Sequence, residues 1–273
     1  MNPMDPTKHD VLADDVEFYD RTQLDLPAAL FRALLVRIPP GADCRLLQVC
    51  AGTGRLTLPL VVATGCTTTA IERNRHRVAL AAKRLATQPN VEVVEDDFRT
   101  WPPPEHRFDV LLAFTGDLSD PVVPIDKAAD VLRPGGLLVI VYARQIAGGD
   151  DRFLADAHEC RRKFDPGLEP SFHLPTADQI DRPADPASSG LFRQPQTRRR
   201  RWDVTYPAHQ YADVELAHYS HTRSMPEPTR TRYLDEITAL VRKRNGGQVI
   251  LRYLFELQAA IRRTAPARIP REQ

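Results

Sequence analysis

The sequence predicts an α/β fold: a doubly wound, mostly parallel seven-stranded sheet with an antiparallel last strand and a lid insertion. Three observations carry this prediction. Short apolar runs alternate with helix-period segments from Arg45 to Val141, a tight glycine turn follows the first run, and two more strand patterns close the chain after a Pro-rich stretch.

The elements follow in order. A polar start, MNPMDPTKHDVLADD, gives way to a helical pattern through Phe18 and Tyr19 and to a second from Pro27 to Ile38. Pro39-Pro40-Gly41 halts that helix, because proline lacks the amide donor and clashes with the preceding turn. Arg45 to Cys50 reads as a buried strand, Ala51-Gly52-Thr53-Gly54 as a turn, and Leu56 to Ala63 as a helix. A second strand, Thr67 to Ile71, ends in Glu72, and Arg75 to Leu85 carries Val78, Ala82 and Leu85 on one helical face. Val91 to Val94 is a third strand ending at Asp96-Asp97. Phe108 to Phe114 is a fourth, almost continuously apolar as a strand covered on both faces should be. Leu137 to Val141 is a fifth, after a helix and the turn Arg133-Pro134-Gly135-Gly136.

Beyond Ile146 the pattern weakens, with one helix near Phe153 to Phe164 and then a run dense in Pro, Asp and Ser. Order returns with a strand over Arg198 to Tyr206, helices over Ala208 to Tyr219 and Pro228 to Arg244, and a last strand over Val249 to Leu257. The expected division is 1–26, a tail and covering helix; 27–145, the core; 146–196, the lid; 197–263, completion of the sheet; and 264–273, a tail.

Composition excludes more than it assigns. The 273 residues hold 37 Lys and Arg against 36 Asp and Glu, a formal charge of +1, so no overall field draws nucleic acid or anionic lipid. The cysteines Cys44, Cys50, Cys66 and Cys160 lack paired spacing, which suits reduced thiols in a cytoplasmic protein, and no apolar run approaches the length of a membrane span. His158, Cys160 and His173 match no familiar ligand spacing, so no metal is expected. The basic run Arg198 to Arg201 lies on a strand pattern, where alternation sends neighbours to opposite faces and halves any patch.

A glycine turn between strand and helix lets a ligand approach the backbone and presents free N–H groups to it. The dinucleotide fingerprint also needs a small residue three positions after its second glycine, and here Gly54 is followed by Arg55, Leu56 and Thr57. Glu72, about twenty positions past the turn, suits a pair of ribose hydroxyls. Asp96-Asp97 with Phe98 adds an acceptor for an adenine amine and an apolar face for its ring, and Asp96 competes with Asp97 because the register is open by one residue. Together these read as a nucleoside pocket without a second nucleotide site.

The segments LLQVCAGTGRLTLPL, TTTAIERNRHRVALAAKRL, NVEVVEDDFRTWPPPEHRFDVLLAF and AADVLRPGGLLVIVY resemble the successive motifs of class I S-adenosylmethionine-dependent methyltransferases, which have a Rossmann-like fold. The C-terminal stretch from Arg199 to Arg263 resembles the closing segment of the bacterial trans-aconitate-type small-molecule branch. The resemblance implies S-adenosyl-L-methionine as cofactor and a small-molecule acceptor methylated on oxygen, nitrogen or a carboxyl group, in bacterial specialised metabolism. It places Cys50, Ala51, Gly52 and Gly54 along the methionine part, Glu72 at the ribose and Asp97 with Phe98 at the adenine, with Gln48, Arg73 and Asp96 also counted among the cofactor-binding residues. It also sets Phe114 and Thr115 near the sulfonium and Tyr19 as an aromatic cover. Substrate contacts are expected from Tyr211, Tyr219 and Ser220, and candidate bases are Asp117 and His218. No nucleic-acid or membrane partner is implied, and a homodimer is left open.

Three departures from the family pattern matter. Gln48 stands where Asp or Glu is usual, removing a charge near the methionine ammonium, and Cys50 stands where glycine is usual. Gly116 to Asp120 replaces an aromatic element after the fourth strand. Gln48 and the altered loop motivate a second reading, a methyltransferase-like protein that binds the cofactor but performs a non-methylating reaction or a binding role. A nicotinamide oxidoreductase is the third.

Overall fold

The computed structural model describes residues 16–115, 123–181, 185–218 and 220–264, apart from the side chains of residues 217, 218, 220, 221 and 245. The strands are β1 (Arg45–Val49), β2 (Thr67–Glu72), β3 (Val91–Glu95), β4 (Phe108–Thr115), β5 (Leu132–Ile146), β6 (Gln196–Pro207) and β7 (Gln248–Ile261). They form one seven-stranded sheet in the order β3-β2-β1-β4-β5-β7-β6. The pairs β3·β2, β2·β1, β1·β4 and β4·β5 are parallel, and the last strands are antiparallel. This is the Rossmann-like, doubly wound arrangement that the alternation of strand and helix patterns predicts.

The helices are α1 (Val16–Thr22), α2 (Ala28–Leu35), α3 (Thr57–Thr64), α4 (Arg75–Leu85), α5 (Ile125–Val131), α6 (Asp151–Phe164), α7 (Ala208–His218), α8 (Ser220–Ser224) and α9 (Glu227–Arg242). Their ends have local causes. The Asn74 side chain accepts the His76 and Arg77 amides at 3.0 and 3.1 Å and starts α4. Asp150 accepts the Phe153 amide at 3.1 Å and starts α6, and Gly65, at φ +69°, ends α3 in the left-handed conformation that favours glycine.

Contacts divide the chain into two compact units. One comprises Asp25–Ala143, Arg182–Arg200 and Phe255–Gln273. Its core lies on one sheet face, where Leu47, Val49, Leu111, Ala113, Leu138, Ile140 and Ala260 meet Ala128, Ala129 and Val131 of α5. Burying such side chains stabilises by about 1.5–3 kcal/mol each. The other unit comprises Met1–Leu24, Arg144–Asp181 and Arg201–Leu254. There α6 and α7 both pack on α9, and α1 packs on α7.

Three of the divisions fall inside β5, β6 and β7, and another, between Asp181 and Arg182, splits the stretch 146–196 expected as a lid between the two units. β5, β6 and β7 each run longer than their apolar patterns suggest. The extra residues include Arg144, Gln145, Gln196 and Gln248, which pair through their backbones and leave no apolar alternation to read. Arg198 and Arg200 are exposed on β6, while Arg199 is half-buried and its Nε lies 2.7 Å from Glu256 Oε2.

Candidate functional site

Three parallel strands, β1, β2 and β3, end side by side, and the candidate site grows from those ends. After β1 the backbone turns through three left-handed residues: Cys50 at φ +54°, Gly52 at +60° and Gly54 at +78°. The Ala51 amide donates to the Ile71 carbonyl at 3.0 Å, and the Gly54 amide donates to the Ala51 carbonyl at 3.1 Å. A Cβ at Gly54 would lie 3.2 Å from Leu85 Cδ1 and 3.5 Å from the Ala81 backbone, so the absent side chain lets α4 close on the turn. A Cβ at Gly52 would meet nothing within 4 Å. Backbone at Gly52 therefore borders open space.

Glu72, at the end of β2, ties these parts together. Its Oε2 accepts the Gly52 amide at 3.0 Å and its Oε1 accepts the Asn74 amide, also at 3.0 Å. Arg77 Nη1 lies 3.8 Å from Oε1, and the side chain is only 4% exposed. The Glu72 carbonyl accepts the Asp96 amide at 3.2 Å, which ties the end of β3 to the end of β2. Each carboxylate oxygen retains a second lone pair after these bonds.

The acidic pair after β3 is divided in role. Asp96 Oδ1 accepts the Asp97 amide at 2.7 Å. The Asp97 carboxylate is gripped at both oxygens by Arg99, with Nη2 at 2.6 Å from Oδ2 and Nε at 3.1 Å from each oxygen. The Arg99 hydrogen bonds hold the Asp97 carboxyl below its usual pKa against the opposing effect of burial, and the charge of exposed Arg73 adds to them.

The Phe98 ring does not offer the apolar ligand face expected of it. It is 3% exposed, sits in the core and has the Lys127 ammonium 5.3 Å from its centroid. β3 ends at Glu95, so Phe98 lies in the turn that follows, which folds its ring back onto the core.

Gln48 lies on β1, paired to Ala70 and Leu112, and is 1% exposed. Its Oε1 has no hydrogen-bond partner. A buried carbonyl oxygen of this kind suits a donor such as an ammonium, though with less attraction than a carboxylate provides. The Cys50 thiol opens to solvent at the turn. Protein packed around it, followed by the charge of Glu72, pushes its pKa up to about 12, with Arg73 pulling the other way. The thiol is therefore neutral at physiological pH.

Phe114 and Thr115 end β4, both half-buried, with Thr115 in register with Tyr142 of β5. The remaining predicted residues lie elsewhere. Tyr19 is half-buried in α1, in the unit that does not hold the glycine turn. Tyr211 is fully buried, packs edge-on against Phe153 and donates to Glu215 Oε1 at 2.8 Å. That hydroxyl is committed to a core carboxylate and is not presented to a substrate. Asp117 and Tyr219 lie outside the described residues, as do the side chains of His218 in α7 and Ser220 in α8. His158 Nε2 lies 2.8 Å from the Glu169 carbonyl, and its ring stacks on Phe172. Among the described residues no three potential metal ligands gather, and no helix is long and apolar enough to cross a membrane.

Sequence reading missed Asn74, Arg84 and Arg99. Asn74 carries a visible signal, a capping residue just before a helical period. Arg84 donates to both the carbonyl and the hydroxyl of Thr53 inside the glycine turn, and nothing in the spacing announces that reach.

Residues 46–136 match the model of a family described as a methyltransferase domain. The matched span runs from β1 to the start of β5 and carries the glycine turn, Glu72 and Asp97. A demethylmenaquinone methyltransferase of Staphylococcus aureus (strain MRSA252) is 30% identical over 103 residues, 36% of this chain and 43% of that protein. The chain thus spans less than half the length of the curated relatives it matches. Among solved structures, YjhP from E. coli aligns with a TM-score of 0.52 and 15% identity over 92% of this chain and 99% of that one. A SAM-dependent methyltransferase from Geobacter sulfurreducens, in complex with S-adenosyl-L-homocysteine, aligns at 0.50 and 13% identity over 95% and 99%. These two likenesses show the fold.

Proposed function

We propose that this chain transfers a methyl group from S-adenosyl-L-methionine to a small-molecule acceptor. The observation that carries the reading is Glu72, a buried carboxylate that joins the glycine turn to the start of α4 beside open backbone at Gly52. The matched methyltransferase domain, the demethylmenaquinone relative and the S-adenosylhomocysteine held by the Geobacter neighbour support the same assignment. The C-terminal likeness to the trans-aconitate-type branch supports a small-molecule acceptor.

The residues present fit the cofactor's chemistry. Glu72 has lone pairs left for ribose hydroxyls, Gln48 Oε1 is a buried acceptor without a donor, and the left-handed turn from Cys50 to Gly54 lets a ligand approach the main chain. Asp96, Asp97 and Arg73 border the adenine end. Bound there, the cofactor supplies a methyl group activated on a sulfonium, so the protein's part is chiefly alignment of the acceptor and exclusion of water. Phe114 and Thr115, at the end of β4, border that alignment. Arg99 holds Asp97, and Asn74 holds the α4 end of the Glu72 bridge, before any ligand arrives.

Gln48 and the altered sequence Gly116 to Asp120 favour a second reading, in which the pocket binds the cofactor and another reaction or a binding role follows. Calorimetric titration with S-adenosylmethionine, S-adenosylhomocysteine and NAD, on wild type and Glu72→Gln, tests the first requirement. Micromolar binding of the sulfonium compound, weakened about tenfold or more in the folded variant, is expected. No binding, or preference for NAD, overturns the proposal; binding without methyl transfer to any acceptor in a metabolite screen favours the second reading.

A further inference from the structure

Beside the end of β4 lies a polar cluster that the cofactor does not need. Thr115 is in register with Tyr142, and Tyr142 packs against the core face that also carries Ala260 of β7. Because side chains alternate along a strand, Glu256 and Gln258 share that face with Ala260. Phe114 and Phe255, one residue before Thr115 and Glu256, confirm the parity by meeting on the opposite face, ring centroids 6.3 Å apart.

Glu256 and Gln258 are 3% and 4% exposed. Arg199 Nε lies 2.7 Å from Glu256 Oε2, and Gln258 Nε2 donates to Glu256 Oε1 at 3.2 Å. The second contact fixes the amide, since the flipped orientation would set carbonyl against carboxylate. Gln258 Oε1 is thereby left as a buried acceptor with no donor. Core burial without a partner is unfavourable, so the oxygen is built for a donor that the protein itself does not supply.

We propose that Gln258, with Glu256 and the Tyr142 hydroxyl, forms the subsite that receives the hydrogen-bond-donating head of the methyl acceptor, a hydroxyl or an amine. The inference rests on the methyltransferase reading and narrows its substrate class. A carboxylate acceptor offers no proton to the Gln258 carbonyl and would be set beside the Glu256 charge, so this wall disfavours it. Burial, then the nearby Glu256 charge, pushes the Tyr142 pKa up to about 12. The hydroxyl thus stays protonated and orients the acceptor; it is not a base.

The test uses the full chain and three probes, phenol, aniline and benzoate. Binding is read by saturation-transfer NMR with and without S-adenosylhomocysteine, on wild type, Gln258→Leu and Tyr142→Phe. Phenol and aniline should bind wild type and lose about tenfold or more in Gln258→Leu, because a site built for a donor rejects what can no longer pair. Benzoate should not compete. Equal binding of phenol by Gln258→Leu, preference for benzoate, or no binding of any probe overturns the subsite, the first meaning that the carbonyl serves an internal water. Titration of the same variants with S-adenosylmethionine separates the two proposals: Gln258→Leu should match wild type there. If wild type fails to bind that cofactor, the methyltransferase reading falls while the probe arm without cofactor still decides the subsite.

Discussion

Cys50 occupies a backbone conformation that L-residues adopt at a cost of about 1–2 kcal/mol, and that glycine adopts freely. The φ of +54° is held by the Ala51 and Gly52 amides, each hydrogen-bonded across to β2 or to Glu72. Glycine at the same position returns that strain but loses about 0.5–1 kcal/mol through a freer unfolded chain. Cys50→Gly should therefore raise stability by about 0.5–1 kcal/mol, seen as a higher urea midpoint at unchanged slope. A lower midpoint would mean that the thiol contributes packing outweighing its strain. The position was legible in the sequence as a departure from a glycine pattern. Its conformation was not, because a small residue at a turn does not announce the sign of φ. Asp97 divides the same way. Its place after the third strand could be read from the apolar run before it, whereas its two-toothed grip by Arg99 depends on rotamers that spacing does not fix.

At the scale of elements, the helices α6, α7 and α9 enclose a charged network. Arg161 of α6 lies 2.6 Å from Glu215 of α7, and both are almost fully buried. Glu215 also accepts Tyr211 at 2.8 Å and Tyr233 of α9 at 2.7 Å, so its carboxylate is satisfied from three helical positions. Removing one partner of such a pair strands the other charge at low dielectric, which costs about 3–5 kcal/mol. Arg161→Leu should lose stability of that order in chemical denaturation, well beyond an exposed-pair control such as Lys163→Ala against Glu236, where roughly 0–1 kcal/mol is at stake. A loss under 1 kcal/mol in Arg161→Leu would show that the carboxylate finds water instead. This network explains why Tyr211 looked like a substrate contact. Periodicity places Tyr211 on a helix in a segment far from the glycine turn, but only packing shows that its hydroxyl faces Glu215 and not a ligand. The strands were legible for the opposite reason. β1, β2 and β4 are buried enough for their apolar runs to mark them, while β6 lies at the sheet edge and its exposed arginines blur both of its ends.

For the whole molecule, buried and paired titrating groups set a stability window in pH. On the acid side, Asp109 is pulled up by burial but brought below its ordinary 3.8 by the Arg45 amide and by Arg133. Asp97 and Asp203 are likewise held low, first by hydrogen bonds from Arg99 and Arg252. A depressed folded pKa means that the unfolded chain takes up protons first, so these contributions are complete above 3.8 and fade as pH falls through the lower folded values. On the alkaline side, burial pushes the thiol of Cys44 up to about 12 and that of Cys160 to about 11, from an ordinary 9.0. The unfolded chain then releases protons before the folded one does. Their stabilising contribution is complete below 9.0 and is lost as pH rises through 11 and 12. Urea unfolding in the presence of reductant should thus give a plateau from about pH 5 to 8 with a decline on either side. The alkaline decline is the sharper test, because the lysine and tyrosine titrations that accompany it do not respond to cysteine substitution. Cys44→Ala with Cys160→Ala should shift the plateau by packing loss alone and flatten the fall between pH 9 and 10.5, where each strongly buried thiol contributes at most roughly 1.4 kcal/mol per pH unit, the worth of one proton. A fall of unchanged slope in the double variant would place the sensitive groups elsewhere in the chain.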